Sequence, residues 1–213
     1  HGSGRTDAGV HAMGQVANFH LPDDWKPDAA SEKNETVSEW IRNYFNQYLP
    51  DDIAITELTP VPERFHSRLS AVKKIYTYRI ETGEKRDVFS RRICYGLGQA
   101  LDVKKMQTAA DLLCGTHDYK SFCGNKKMKK STVRTIFRIT VEQDAGSGLV
   151  KLEFEGNGFL QNMVRILTGT LIEVGLGKRD AGSMPEILAA LDRQAAGYTA
   201  PAEGLCLQQV FYQ

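Results

Sequence analysis

The nine residues Gly4-Arg5-Thr6-Asp7-Ala8-Gly9-Val10-His11-Ala12 set a cation, a hydroxyl and a carboxylate between two glycines. Glycine accepts positive φ and lets another molecule approach the backbone, so Gly4 and Gly9 bracket a tight, exposed turn that presents Arg5 and Asp7. A carboxylate presented in this way can act as a nucleophile or a base. The same residue types also build an ordinary surface turn, with Asp7 closing an Asx-turn and Arg5 as its ion-pair partner.

Three further stretches carry charge where chemistry could use it. Phe159, Met163, Val164, Leu167, Leu171 and Val174 recur as one face of a buried helix, and Arg165 sits among them. A mostly buried guanidinium needs a carboxylate, because an unpaired one is too costly to desolvate, and Glu155 or Glu173 could serve. Residues 64–80 interleave Arg68, Lys73 and Lys74 with Tyr76 and Tyr78. Cations that neutralise phosphate beside rings that stack on an unstacked base are what RNA recognition requires, although a solvated strand face has the same composition. The run Lys126, Lys127, Lys129, Lys130 and Arg134 is either a solvated loop or a phosphate contact. His117 and Asp118 are adjacent, and adjacent residues seldom serve one reacting atom, so they read as structural.

The signature around Asp7 resembles that of the tRNA pseudouridine synthase A family, which isomerises uridine in the anticodon stem-loop of tRNA. Residues 64–80, the Met163-Val164-Arg165 segment and the tail Ala200-Pro201-Ala202-Glu203-Gly204-Leu205-Cys206-Leu207 resemble further motifs of that family. The resemblance implies that Asp7 is the catalytic carboxylate, that Arg165 pairs with it, and that Tyr76 stacks on the target uracil and assists proton removal from C5. It also implies that Arg5, Arg68 and Lys74 hold RNA, that Leu205 or Leu207 walls the uracil pocket, and that Lys126, Lys127, Lys129 and Lys130 contact tRNA. Departures from the family pattern fall at Leu69, Ile75, Gln161, Asn162 and Ile166, and none removes a charged catalytic group. The reaction involves no redox change, so no cofactor is expected. A homodimer reading one tRNA, in the cytoplasm, is the expected assembly.

The elements that must position these groups follow from pattern. Val10 to Phe19 reads as a strand and Leu21 to Lys33 as a loop. Thr36 with Glu39 forms a capping box for a helix whose stripe of Val37, Trp40, Ile41, Tyr44, Phe45 and Tyr48 is expected to be core. Ile53, Ile55 and Leu58 alternate as a strand. Gly83 to Arg92 is a polar linker, a helix ends at Gly115, Ser147-Gly148 turns a hairpin, Met184 to Arg193 is a short helix, and Val210 to Tyr212 complete a last strand.

Without regular β-α-β alternation this is an α+β chain. The resemblance implies a pseudouridine synthase core, an antiparallel mixed sheet from two related halves at 1–90 and 91–213 with the cleft between them. Family members carry further residues ahead of the signature, so the chain is expected to be a fragment lacking the opening elements of its first half. A noncatalytic tRNA-binding or RNA-folding module, or an inactive piece of the synthase, are the alternative functions. With 213 residues, 41% hydrophobic, the chain can bury a real core, and its formal net charge of +1 means that any RNA-binding charge must be local. Four cysteines without a CxxC pair suit a reduced chain with no zinc-ligand pattern, and no apolar run is long enough to span a membrane.

Overall fold

The computed structural model describes residues 1–25, 36–85, 87–125 and 127–213. They form two compact units, one of His1 with Asn18–His66, the other of Gly2–Ala17 with Ser67–Gln213. The strand at residues 71–81 pairs with strands from the end of the chain and so lies in the larger unit.

The larger unit is a mixed seven-stranded sheet with helices packed on it. Strands β1 (His11–Ala12), β2 (Ala71–Glu81), β3 (Tyr95–Gly96), β4 (Gly115–Asp118), β5 (Val133–Gln143), β6 (Leu149–Gly156) and β7 (Leu205–Tyr212) are ordered β1-β7-β2-β6-β5-β4, with β3 pairing β2. All neighbours are antiparallel except β1 with β7 and β3 with β2. Strand β2 alternates Tyr78 and Ile80 inward, β6 alternates Val150, Leu152 and Phe154, and β5 supplies Ile136, Ile139 and Val141. The hairpin between β5 and β6 turns as its sequence requires, with Gly148 at φ +70° donating to Asp144 O at 2.9 Å.

The larger unit has three helices in chain order after α1 (Val37–Tyr48), which belongs to the smaller unit: α2 (Val103–Asp111), α3 (Met163–Gly175) and α4 (Met184–Ala190). Helix α3 is apolar nearly all round, and Met163, Leu167, Leu171 and Val174 join the sheet's core residues together with Met106, Ala109 and Ala110 of α2. Fully burying each large side chain of this kind contributes about 1.5–3 kcal/mol, so α3 is a rigid platform for whatever projects from it. A segment from Arg193 to Ala200 straps across α3. Gly169 permits this close approach, since a Cβ there would stand 1.9 Å from Tyr198 O. Gly197 N donates to Thr170 Oγ1 at 2.9 Å.

Three expectations about local structure are corrected. The strand expected over Val10 to Phe19 is only His11–Ala12. Beyond it both Met13 N and Gly14 N turn to Leu207 O, which ends the ladder, and residues 2 and 17 form an isolated bridge. Ile53, Ile55 and Leu58 form no strand. Instead the Asn46 side chain takes both Ile55 N–H (2.7 Å) and Ile55 O (2.9 Å), supplying what a neighbouring strand would have supplied. The aromatic stripe of α1 is not core, for only Ile41 is buried and Tyr48 is 72% exposed. Among the described residues of the smaller unit α1 is the sole regular element, so its rings stack on one another, Trp40 on Tyr44 at 5.1 Å and Tyr44 against Tyr48 at 5.0 Å. The Thr36–Glu39 capping box is formed at 3.2 and 2.9 Å. Of the loop expected over 21–33, residues 26–33 lie outside the described residues, as does Arg86 of the linker.

Candidate active site

Asp7 stands at the first position of a turn closed by Val10 N to Asp7 O at 3.0 Å. Gly9 occupies the third position with φ +82°, the value a type II turn requires there. Before the turn the chain is fixed by a buried Ser3, whose N–H bonds Val16 O at 2.7 Å and whose hydroxyl bonds Gln15, while Gln15 Nε2 holds Gly4 O at 3.2 Å. The Asp7 carboxylate is thus placed by backbone geometry.

Arg165 reaches it from α3. Its Nη1 donates to Asp7 Oδ2 at 2.9 Å and its Nε to Ala200 O at 2.7 Å, while Ala200 N returns a bond to Arg165 O at 3.0 Å. The guanidinium is 17% exposed and the carboxylate 40%. The other two acids that the sequence allowed are engaged elsewhere, Glu155 with Lys73 and Arg138, Glu173 with Arg179. Among the described residues, Asp7 Oδ1 accepts no hydrogen bond.

Tyr76, on the central strand β2, lies close enough for the Asp7 charge to act on its phenol. Burial first, and Asp7 second, push its pKa up to about 12. A pKa that far above neutral pH makes the side chain a neutral phenol there. Phe159 meets that ring edge-on, centroids 5.2 Å apart at 83°. In β7, Leu207 is paired with Tyr76 and Leu205 with Tyr78, and both leucines are buried. A bulge at Gln208 lies beside the Tyr76 pairing, and Gln208 Nε2 bonds Thr77 Oγ1 at 2.7 Å.

The remaining sequence-predicted residues divide. Arg5 and Arg68 are exposed. Lys74 is partly buried, with Nζ 2.6 Å from Ser3 O, and burial together with the nearby Arg68 lowers its pKa. Lys127, Lys129 and Lys130 are exposed on a turn in which Asn125 Oδ1 accepts from Lys127 N at 3.0 Å, whereas Lys126 lies outside the described residues. His117 Nε2 donates to Cys114 O at 3.0 Å, and Asp118 Oδ1 accepts from Lys120 N at 3.0 Å, which are local structural bonds. The residues the sequence reading missed are Gln15, the Ala200 carbonyl and Phe159. Phe159 was expected on the apolar face of the following helix, but it lies outside α3, three residues after Gly156, where a Cβ would stand 3.0 Å from its ring.

A family model described as tRNA pseudouridine synthase matches residues 109–213. Over nearly the whole chain, tRNA pseudouridine synthase A of Shouchella clausii is 47% identical across 210 residues, 99% of this chain and 76% of that protein. The chain belongs to this family. Its similarity to the enzyme of the same name from Geobacillus kaustophilus is 43% over 211 residues, covering 99% and 77% of the two chains, and to that from Brevibacillus brevis 46% over 211 residues, covering 99% and 81%. Among the described residues no group of three or more His, Cys, Asp or Glu side chains could hold a metal ion, and no helix is long and apolar enough to cross a membrane. None of the four cysteines is paired.

Proposed function

We propose that the chain isomerises uridine to pseudouridine in tRNA, that the uridines lie in the anticodon stem-loop, and that Asp7 is the reacting carboxylate. Family membership supports the reaction. The observation that supports the site is the Asp7–Arg165 pair, joined across 158 residues of sequence with one carboxylate oxygen unused and its charge felt by the Tyr76 phenol.

The reaction breaks the N1–C1′ bond, turns the base, forms a C1′–C5 bond and releases the C5 proton. The target base must first leave its stack, which costs a few kcal/mol that phosphate contacts and restacking offset. Exposed Arg5 and Arg68 and the Lys127, Lys129 and Lys130 turn are the groups that contact phosphate; the Tyr76 ring receives the extruded uracil, with Leu207 beside it. Arg165, anchored on Ala200 O, holds the Asp7 carboxylate through Oδ2, which leaves Oδ1 for the reacting sugar or base. Two copies acting together in the cytoplasm on one tRNA fit a substrate larger than one site, and sedimentation with and without tRNA tests that assembly.

The anticodon assignment is tested with two full-length tRNA transcripts labelled with tritium at uridine C5, one natural and one with cytidine at every uridine of the anticodon arm. Release from the first and none from the second is expected. Equal release from both overturns the assignment while leaving the reaction intact.

A further inference from the structure

Lys74 belongs, by its neighbourhood in sequence, with the cations that face RNA. Its position is different. The ammonium lies 2.6 Å from Ser3 O, and it is partly buried. It passes beside Gly4, where a Cβ would stand at an ordinary contact distance of 3.5 Å from Nζ. Ser3 is itself fully buried and tied to Val16 O, so its carbonyl is a fixed point. Four residues later comes Asp7, and two residues beyond Lys74 on β2 comes Tyr76.

We infer that Lys74 is a positioning residue that ties the Asp7 loop to the strand bearing Tyr76, and is not a phosphate contact. The inference deepens the proposed function and rests on it for its kinetic consequence. Between the Gly2–Ala17 bridge and β1 the loop belongs to no strand ladder, and of its side-chain bonds, from Gln15 within the segment, Arg165 on α3 and Lys74 on β2, the Lys74 bond is the one that joins it to the strand bearing Tyr76. Rate is sensitive to such placement, because a displacement of the reacting group by about 1 Å costs on the order of 10²-fold. An ammonium bound to a backbone carbonyl, beside a second cation, has less to offer a phosphate than an exposed arginine has. Arg68 is exposed and near enough to depress Lys74, which makes it the comparison cation for the test.

The test uses the whole chain with Lys74→Met, which removes the charge, and Lys74→Arg, which keeps it but cannot repeat the compact ammonium contact under Gly4. Single-turnover tritium release at saturating protein, tRNA affinity across a salt series and backbone hydrogen exchange of residues 3–10 without RNA are measured for each. Expected are a roughly 10²-fold slower release in both variants, affinity within about threefold and an unchanged salt slope, with exchange over residues 3–10 faster by about tenfold or more. Arg68→Met, run beside them, lowers the salt slope by about one. Weakened binding and a smaller salt slope in Lys74→Met, with Lys74→Arg behaving as the parent, make Lys74 a phosphate contact and overturn the inference, as does unchanged exchange over residues 3–10 in both variants. Absence of release from the parent chain contradicts the proposed reaction instead, and the exchange measurement still decides whether Lys74 holds the loop.

Discussion

Helix α3 carries an arginine–carboxylate pair at each end, and the two are built for different purposes. At its C-terminal end Glu173 is saturated: Oε2 takes Arg179 Nε at 2.9 Å and Nη2 at 2.8 Å, and Oε1 takes Tyr198 N at 3.3 Å. At its N-terminal end Asp7 has one charged hydrogen bond at 2.9 Å and an oxygen to spare. Both arginines also clamp the strap over α3, Arg179 through Ala195 O and Arg165 through Ala200 O. The Glu173 pair closes over six residues of sequence and locks a turn. The Asp7 pair joins distant parts of the chain and leaves one carboxylate oxygen without a hydrogen bond among the described residues. Residue types alone do not separate the two pairs; the unused acceptor does.

The largest expected effect comes from Asp7→Asn, which keeps the shape and removes the charge. Release of tritium should fall at least about 10³-fold while tRNA affinity stays within about tenfold. Next is Arg165→Lys. One ammonium cannot reproduce the fork that reaches both Ala200 O and Asp7, so turnover should drop by about 10–10²-fold, measured as a lower single-turnover rate with little change in affinity. Glu173→Gln reverses the pattern. With both partners 23% exposed the loss is discounted for solvent screening to about 1 kcal/mol, a fall in Tm of a few degrees, with the rate within about threefold of the parent. A large rate loss in Glu173→Gln with Tm unchanged would erase the distinction between the two pairs.

A pH dependence is expected at the alkaline end. Tyr76 has a folded pKa raised to about 12 from an ordinary value near 10, so folding favours its protonated form. Its contribution to stability is therefore complete below about pH 10 and is lost as pH rises from there toward about 12. Tyr76→Phe should flatten that part of the curve of unfolding free energy against pH, and an unchanged curve would mean that the phenol is not held as described.

Much of this was legible in the residues. The Thr36–Glu39 box and the Ser147-Gly148 turn are short-range devices whose geometry is written in adjacent residues, and both form. The need of Arg165 for a carboxylate was likewise legible from its apolar surroundings, although Glu155 and Glu173 were equally good partners until distances were known. What was not legible depended on contacts between distant segments. Periodicity made Ile53, Ile55 and Leu58 a strand, yet the Asn46 amide satisfied Ile55 from a helix nine residues earlier. The α1 stripe had the spacing of a core face, but among the described residues of its own unit there is no further regular element to bury it. Lys74 looked like its basic neighbours because sequence does not record that its ammonium ends on a buried carbonyl.

The most direct test of the central claim, that the open carboxylate of the Asp7–Arg165 pair is the reacting group, is single-turnover tritium release from C5-labelled tRNA by the parent chain and by Asp7→Asn at saturating protein, with tRNA binding measured in the same samples. Expected are stoichiometric release by the parent, none above background by Asp7→Asn, and retained binding by both. Release by Asp7→Asn at a rate near the parent's would contradict the central claim.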